Sequence, residues 1–186
     1  MEEITMYLEE AETRMQQAVS HTGNELTKIR AGKAMPNMLN GLTVDYYGSA
    51  TPIEQVASVT TPDARTLAIK PWEKKTIPDI ERAIINSDLG LNPQNDGELI
   101  RITIPMLTGE RRNELVKQAR AEAENGKVSI RNIRKDTNQG IKGLKSDGAS
   151  EDDIKKGEEQ VQKLTDKYSA KIDELLKKKE TDITTV

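Results

Sequence analysis

Residues 115–144 have the sequence LVKQARAEAENGKVSIRNIRKDTNQGIKGL, and this stretch decides the fold of the chain. Its apolar and small residues recur in steps of three and four, the spacing of a helix that packs lengthwise against other helices. The stripe consists of Leu115, Ala119, Ala123, Gly126, Ile130, Ile133, Thr137, Ile141 and Leu144. The stretch therefore predicts one long helix with a narrow buried face.

The same spacing occurs near both ends of the chain. The first set is Ile4, Leu8, Ala11, Met15, Ala18, Thr22, Leu26 and Ile29, and the last set is Ile154, Gly157, Val161, Leu164, Tyr168, Ile172 and Leu175. Residues 146–150 form a short polar turn, in which Ser150 is placed to cap the last helix. Asp153, three residues later, is placed to accept a hydrogen bond from the helix entrance, as in an acidic version of the capping box. Because a short turn makes two long helices antiparallel neighbours, the three stripes predict a three-helix bundle.

Residues 34–105 follow a different pattern. Short runs that alternate apolar and polar residues, around 42–46, 56–59, 66–69 and 100–104, are typical of strands. One helix is predicted over 78–89, with Pro78 in its first turn and Gly90 after its end. Trp72 is either a surface anchor or a cap on the core of this module, and we expect the cap.

The predicted fold class is α+β: an elongated three-helix bundle, residues 1–30 and 106–186, with a small β/α/β domain inserted at 31–105. The chain crosses between the two parts twice. The predicted hinge residues are Ala31, Gly32, Lys33, Pro105, Met106, Leu107, Thr108 and Gly109. Glycine tolerates the backbone changes that a hinge needs, so we expect a two-strand hinge and an L-shaped molecule with a mobile elbow.

Composition excludes several classes of active site. The chain of 186 residues has no Cys and a single His, so thiol nucleophiles, disulfides and cysteine or multi-histidine zinc sites are excluded. A Ser-His-Asp triad would have to use His21, which lies inside a helical pattern without a nucleophile elbow. We expect no enzyme activity, no cofactor and no bound metal.

Hydropathy and the acidic beginning of the chain suggest where the protein works. No run approaches the ~18 apolar residues of a membrane-spanning helix. The first residues are acidic, unlike a basic secretory or Arg-rich transit segment. We expect a cytoplasmic protein that does not contact membranes.

Positive charge is concentrated in two short places, although the formal net charge is −3. Residues 111–135 hold eight bases and three acids. At 100° per residue, Arg120, Lys127, Arg131 and Arg134 fall within a sector of about 60°, over about 20 Å of helix. Asn138 extends this row and Lys135 flanks it.

Two interpretations of the row remain open. Because the guanidinium fork matches phosphate oxygens, the row favours recognition of a nucleic-acid backbone. The alternative is salt bridging within the helix, to which Glu124 and Asp136 would contribute. Lys28, Arg30 and Lys33 form a second basic cluster near the first crossing. Neither cluster has interleaved aromatic residues, so we expect contacts to backbone and shape rather than to bases.

Several motifs of the chain closely resemble those of the ribosome recycling factor family. They run in order from the first predicted helix towards the C-terminus. They are KIRAGKA (28–34), VDYYG (44–48), SDLGLNP (87–93), LTGERR (107–112), IRNIRKD (130–136) and QKLTDK (162–167).

The resemblance implies a fold and a function. The family combines a three-helix bundle with a small β/α/β domain at a hinge. With elongation factor G and GTP, it acts on the post-termination ribosome, separates the subunits and releases mRNA and deacylated tRNA. Its bundle lies over the peptidyl-transferase region and contacts the rRNA of the large subunit. The expected partners are therefore the ribosome and elongation factor G, and we expect a monomer.

The resemblance also implies which residues contact rRNA. Arg131 and Arg134, with Asn132 between them, match the arginine motif of the family, and Arg30 and Gly32 match its basic motif near the hinge. Two further positions, Lys33 and Lys135, carry Lys where the family commonly has Arg, so the charge is kept but the bidentate fork is lost. Lys127 and Arg120 complete the candidate set.

Two other functions remain as alternatives. A helical adaptor would bind a protein partner through its heptad faces, and that interaction would be insensitive to salt and to the arginines. An enzyme would require His21, and its turnover would be abolished by His21→Ala.

Overall fold

The structure is a computed structural model that describes residues 2–185. Its helices and strands are numbered here in chain order. They are α1 (Glu2–Thr27), β1 (Thr43–Tyr46), β2 (Ser49–Pro52), α2 (Ile53–Val56), β3 (Ala57–Asp63), β4 (Thr66–Pro71), α3 (Ile77–Ile85), β5 (Pro93–Asn95), β6 (Ile100–Thr103), α4 (Gly109–Gly143) and α5 (Glu151–Thr184).

The chain divides into two compact units. One is the small unit, Gly32–Thr108, and the other is the bundle, formed by the segments before and after it. The divisions lie one and three residues beyond the boundaries expected from the sequence. Each unit has its own core, so each is described by itself.

The bundle consists of α1, α4 and α5, which pack against one another along their lengths. Every position of the stripe from Leu115 to Leu144 is buried, as the step of three and four predicted. Small residues allow the helices to approach closely: a Cβ on Gly126 would collide with Thr22 of α1, and a Cβ on Gly157 would lie 3.1 Å from Ile4. The three-helix bundle predicted from the sequence is confirmed.

The turn between α4 and α5 has the predicted cap with one difference. The Asp153 backbone N–H donates to the Ser150 hydroxyl oxygen at 3.1 Å, as an N-cap requires. The Asp153 carboxylate, however, accepts from the Ser150 hydroxyl at 2.7 Å and not from the backbone of the cap residue. A single turn at Leu144–Asp147 tightens the end of α4 before Gly148, whose φ is 96°.

The small unit contains two antiparallel sheets. A four-stranded sheet has the order β3-β4-β6-β5, and β1 pairs with β2 in a separate hairpin. The hairpin turns at Tyr47 and Gly48, which both have positive φ and together make the tight two-residue turn that matches strand twist. Helix α3 contributes Ile77, Ile80 and Ile84 to the core that it shares with the strands.

The structure corrects two expectations about the small unit and adds three short segments. Helix α3 begins near Pro78 as predicted but ends at Ile85, because the chain leaves the helix at Asn86, well before Gly90. Trp72 is 66% exposed, so the expected cap on the core was wrong. The short segments α2, β2 and β5 were not predicted, since none shows sustained alternation or a helical repeat.

Within residues 2–185, no helix combines the length and the apolar character that crossing a membrane requires.

Candidate nucleic-acid interface

The predicted basic row lies along the seam between α4 and α5. Arg120, Lys127 and Arg134 are spaced by seven residues, so they occupy equivalent positions on successive pairs of helical turns. Positions of this kind flank a buried stripe and face the neighbouring helix. These three residues of the row are therefore beside the core and meet side chains of α5.

Acidic residues of α5 form ion pairs with much of this seam. The Arg120 Nε donates to Glu180 Oε1 at 2.7 Å, and the Lys127 ammonium pairs with Asp173. Further along, the Lys142 Nζ lies 3.1 Å from Glu158 Oε1. The residue numbers of each pair add up to 300, which is the signature of two antiparallel helices in a constant register. We call these cross-helix positions rungs.

Arg134 occupies a rung of a different kind. Its register partner is Asp166, but the Arg134 Nη1 donates instead to the amide oxygen of Gln162, at 3.4 Å. Gln162 in turn donates from its Nε2 to Asp166 Oδ1 at 2.9 Å. Arg134 is half-buried, and the group facing it here carries no charge.

Arg131, the fourth residue of the predicted row, lacks the spacing of seven and pairs within its own helix. Its Nη2 donates to Glu124 Oε1 at 2.6 Å, and the Arg131 side chain remains 46% exposed. The hydrogen bond and charge of Arg131 hold the pKa of Glu124 below its ordinary value. Asp136, the second acid expected to neutralise this helix, pairs with Arg14 of α1 at 3.3 Å. Both interpretations of the row thus have support, because its cations are exposed in part and paired in part.

Asn132 and Lys135 are exposed on α4, adjacent to the two arginines in sequence. They do not belong to the seam row, because neither is spaced by seven from Arg120 or Arg134. With Arg131, they form the outward edge of the candidate interface.

The second basic cluster is divided between the units. Helix α1 ends at Thr27, and Arg30 follows it as an exposed residue of the bundle. Lys28 pairs with Glu25 at 2.7 Å, which raises the pKa of Lys28 through the hydrogen bond. Lys33 is half-buried and belongs to the small unit.

The predicted hinge residues lie at the two divisions between the units. Ala31 ends one segment of the bundle, and Gly109 is the first residue of α4. Residues 105–108 form neither helix nor strand. Gly32 has φ 71°, and a Cβ placed on it would lie 2.6 Å from Leu107 Cγ, so both its backbone conformation and its surroundings require glycine.

Sequence reasoning missed the residues of α5 that face the row. No contact with the row was predicted from the sequence for Glu158, Gln162, Asp166, Asp173 or Glu180. A signal was present: once the turn at 146–150 makes α4 and α5 antiparallel, residue numbers that add up to a constant identify the facing positions. The value of that constant, 300 here, is set by how the two helices pack, so the pairing of Arg120 with Glu180 and of Lys127 with Asp173 required the structure.

A known protein family matches most of the chain. The family model described as ribosome recycling factor matches residues 22–184. The chain belongs to the ribosome recycling factor family. The resemblance carried by the motifs is thereby confirmed, and the family is one of translation factors.

Curated ribosome-recycling factors match over nearly the whole chain. The protein of Amoebophilus asiaticus is 60% identical over 183 residues, which cover 98% of each chain. The protein of Cytophaga hutchinsonii is 55% identical over 186 residues, which cover 100% of each chain. Similarity of this extent includes both units.

Solved structures of ribosome recycling factors share the fold. A solution structure of the ribosome recycling factor has a TM-score of 0.77 and 37% identity, with full coverage of both chains. A second structure has a TM-score of 0.62 and 42% identity, and it covers 97% of this chain and 98% of the other. It contains the T. thermophilus ribosome recycling factor and the E. coli elongation factor G, bound to the E. coli post-termination complex. The predicted α+β class is therefore confirmed.

Proposed function

We propose that this protein binds the post-termination ribosome and, with elongation factor G and GTP, splits the subunits and releases mRNA and deacylated tRNA. Family membership supports this function, as does the related factor bound to a post-termination complex with elongation factor G. The protein would act in the cytoplasm, where these partners work, and as a monomer.

The observation that carries the proposal is the partly exposed arginine edge of α4. Arg131 and Arg134 are three residues apart on a helix held rigid by burial of its whole stripe. Guanidinium groups on such a helix form a fixed line that can follow phosphates of the large-subunit rRNA near the peptidyl-transferase region. Asn132, Lys135, Lys127, Arg120, Arg30 and Lys33 complete the proposed contact set.

The proposed mechanism relies on binding and leverage. The bundle, residues 1–30 and 106–186, acts as the rRNA-binding lever, and the inserted domain, 31–105, receives the push of elongation factor G. The crossings act as the hinge, which the positive φ of Gly32 and the irregular segment 105–108 support. Hydrolysis of GTP belongs to the partner, so this chain would need no cofactor and no catalytic group of its own.

Co-sedimentation with vacant ribosomes tests the proposal. The wild type should pellet with ribosomes, and its affinity should fall as salt rises, because phosphate binding releases counterions. The Arg131→Ala/Arg134→Ala variant should remain in the supernatant while keeping its helical circular dichroism.

A matched control removes the same charge elsewhere. Lys155→Ala/Lys156→Ala also deletes two exposed cations, on α5, and should pellet like the wild type. Equal losses in both double variants would mean that only net charge matters. Binding that is insensitive to salt and to the arginines would favour the helical adaptor instead.

A further inference from the structure

The seam between α4 and α5 contains two kinds of rung. At Arg120, Lys127 and Lys142, a carboxylate of α5 meets the cation directly. At Arg134, within the part of the chain that the structure describes, the facing group is the neutral amide of Gln162. The register nevertheless places a carboxylate, Asp166, where the other rungs have theirs.

Gln162 explains why Asp166 does not pair with Arg134. The two residues are four apart on α5, the spacing at which side chains of a helix meet. The Gln162 Nε2 donates to Asp166 Oδ1 at 2.9 Å, and this bond turns the amide oxygen towards Arg134. One side chain therefore both binds the carboxylate and presents an acceptor to the guanidinium.

We propose that Gln162 is a positioning residue that withholds Asp166 from Arg134, so that the charge of Arg134 remains available to a nucleic-acid phosphate. The inference rests on the proposed function. An amide oxygen orients the guanidinium but does not neutralise it. An incoming phosphate then replaces a neutral hydrogen bond and need not break an ion pair.

Arg131 provides the contrast on the same face. A phosphate that binds Arg131 competes with the charge of Glu124, which accepts from the Arg131 Nη2 at 2.6 Å. A phosphate that binds Arg134 displaces only an amide oxygen at 3.4 Å. Arg134 should therefore contribute more to ribosome affinity than Arg131, although the two residues carry the same charge.

The test removes Gln162 and then removes the acid that it holds. In Gln162→Ala, Asp166 becomes able to pair with Arg134, and affinity for vacant ribosomes should fall by about two- to fivefold, the range that an exposed ion pair is worth. Gln162→Ala/Asp166→Ala should recover wild-type affinity, because no carboxylate then competes for Arg134. A contact made only by Gln162 itself would not be rescued in this way.

A second variant and a control guard against effects on folding. Gln162→Glu places a carboxylate directly opposite Arg134 and should weaken binding at least as much, with unchanged circular dichroism. Glu158→Gln alters a rung of the same seam in which the cation, Lys142, already has an ion pair, and this variant should bind like the wild type.

The outcomes separate this inference from the proposed function. Wild-type binding by Arg134→Ala would refute the role of the arginine and leave nothing for Gln162 to position. If Arg134→Ala binds weakly while Gln162→Ala and Gln162→Glu bind normally, or if the double variant is not rescued, the role of Gln162 is overturned.

Discussion

The bundle and the small unit build their cores from different residues, although the same chain without Phe supplies both. The bundle core mixes large side chains such as Ile130 with small ones such as Ala119 and Ala123, and it has glycines where helices approach most closely. The core of the small unit consists mainly of large aliphatic side chains, such as Ile80, Ile100 and Ile102. A narrow seam between long helices is closed by close approach of backbones, whereas a small domain needs bulk to exclude water.

This difference predicts that the small unit depends strongly on each of its large core side chains. Ile102→Ala removes a fully buried side chain of β6 from the core that the strands share with α3, and it should lower the free energy of unfolding by about 2–5 kcal/mol. Denaturant unfolding, followed by amide exchange on the strands, measures the loss. Val128→Ala, at an exposed position of α4, is the control and should change stability little. Equal losses at both sites would contradict the comparison.

The bundle should instead be the more sensitive to enlargement. Gly126→Ala inserts a methyl group against Thr22 and should cost about 1–3 kcal/mol, the usual cost of overpacking. Gly143→Ala is the matched control on the same helix, because its backbone is helical and a Cβ there meets nothing within 4 Å. Thermal unfolding should show the first variant destabilised and the second unchanged or stabilised. The opposite order would show that close approach does not limit this core.

The Glu12 carboxylate, at the edge of the bundle core, should make the stability of the protein depend on pH. The buried Tyr168 donates its hydroxyl hydrogen to Glu12 Oε1 at 2.7 Å, and this bond, with the Lys167 ammonium, lowers the pKa of Glu12 from its usual 4.5. A lowered folded pKa stabilises the fold above the unfolded value, and this stabilisation is lost as pH falls through the folded pKa.

Tyr168→Phe removes the leading cause of that shift. As the pH falls below the ordinary pKa of 4.5 of Glu12, the free energy of unfolding should therefore fall less steeply in the variant than in the wild type. Denaturant unfolding at a series of pH values measures the slope. A Glu12→Gln variant should show the same flattening, and an unchanged slope in both would exclude this carboxylate as a source of acid sensitivity.

The smallest effect is expected at the rungs of the bundle. Glu180→Gln removes the charge that faces Arg120, a partner with 64% of its side chain exposed, and should cost at most about 1 kcal/mol. The cost should shrink as salt is added. Glu174→Gln, at another exposed acid of α5, provides the comparison. A large, salt-independent loss would mean that the rungs and not the core hold these helices together.

The secondary structure of the bundle was easier to predict from the sequence than that of the small unit. A helix repeats its buried face over many turns, so Leu115, Ile130 and Ile141 identified one another across 26 residues. Strand β5 has three residues and pairs only with β6, so no local pattern marks it. The local sequence pattern could not predict the exposure of Trp72 either, because that exposure depends on how the neighbouring strands pack.

The sequence predicted which residues form the candidate interface, but it did not predict how they pair with the neighbouring helix. Spacing alone placed Arg120, Lys127, Arg131 and Arg134 on one side of α4. It did not show that α5 meets Arg120 and Lys127 with carboxylates, since that requires the register between two helices. The resemblance of residues 130–136 to the family motif identified Arg131 and Arg134 without knowledge of that register.

Heptad spacing, turn residues and motifs are properties of neighbouring positions along the chain, so the amino-acid sequence alone identifies the bundle, the inserted α/β unit and the family. The tertiary structure decided which cations are neutralised and which face an amide. Charge pairing across a seam depends on distances between residues far apart in sequence, such as Arg134 and Gln162, and those distances exist only once the helices have packed.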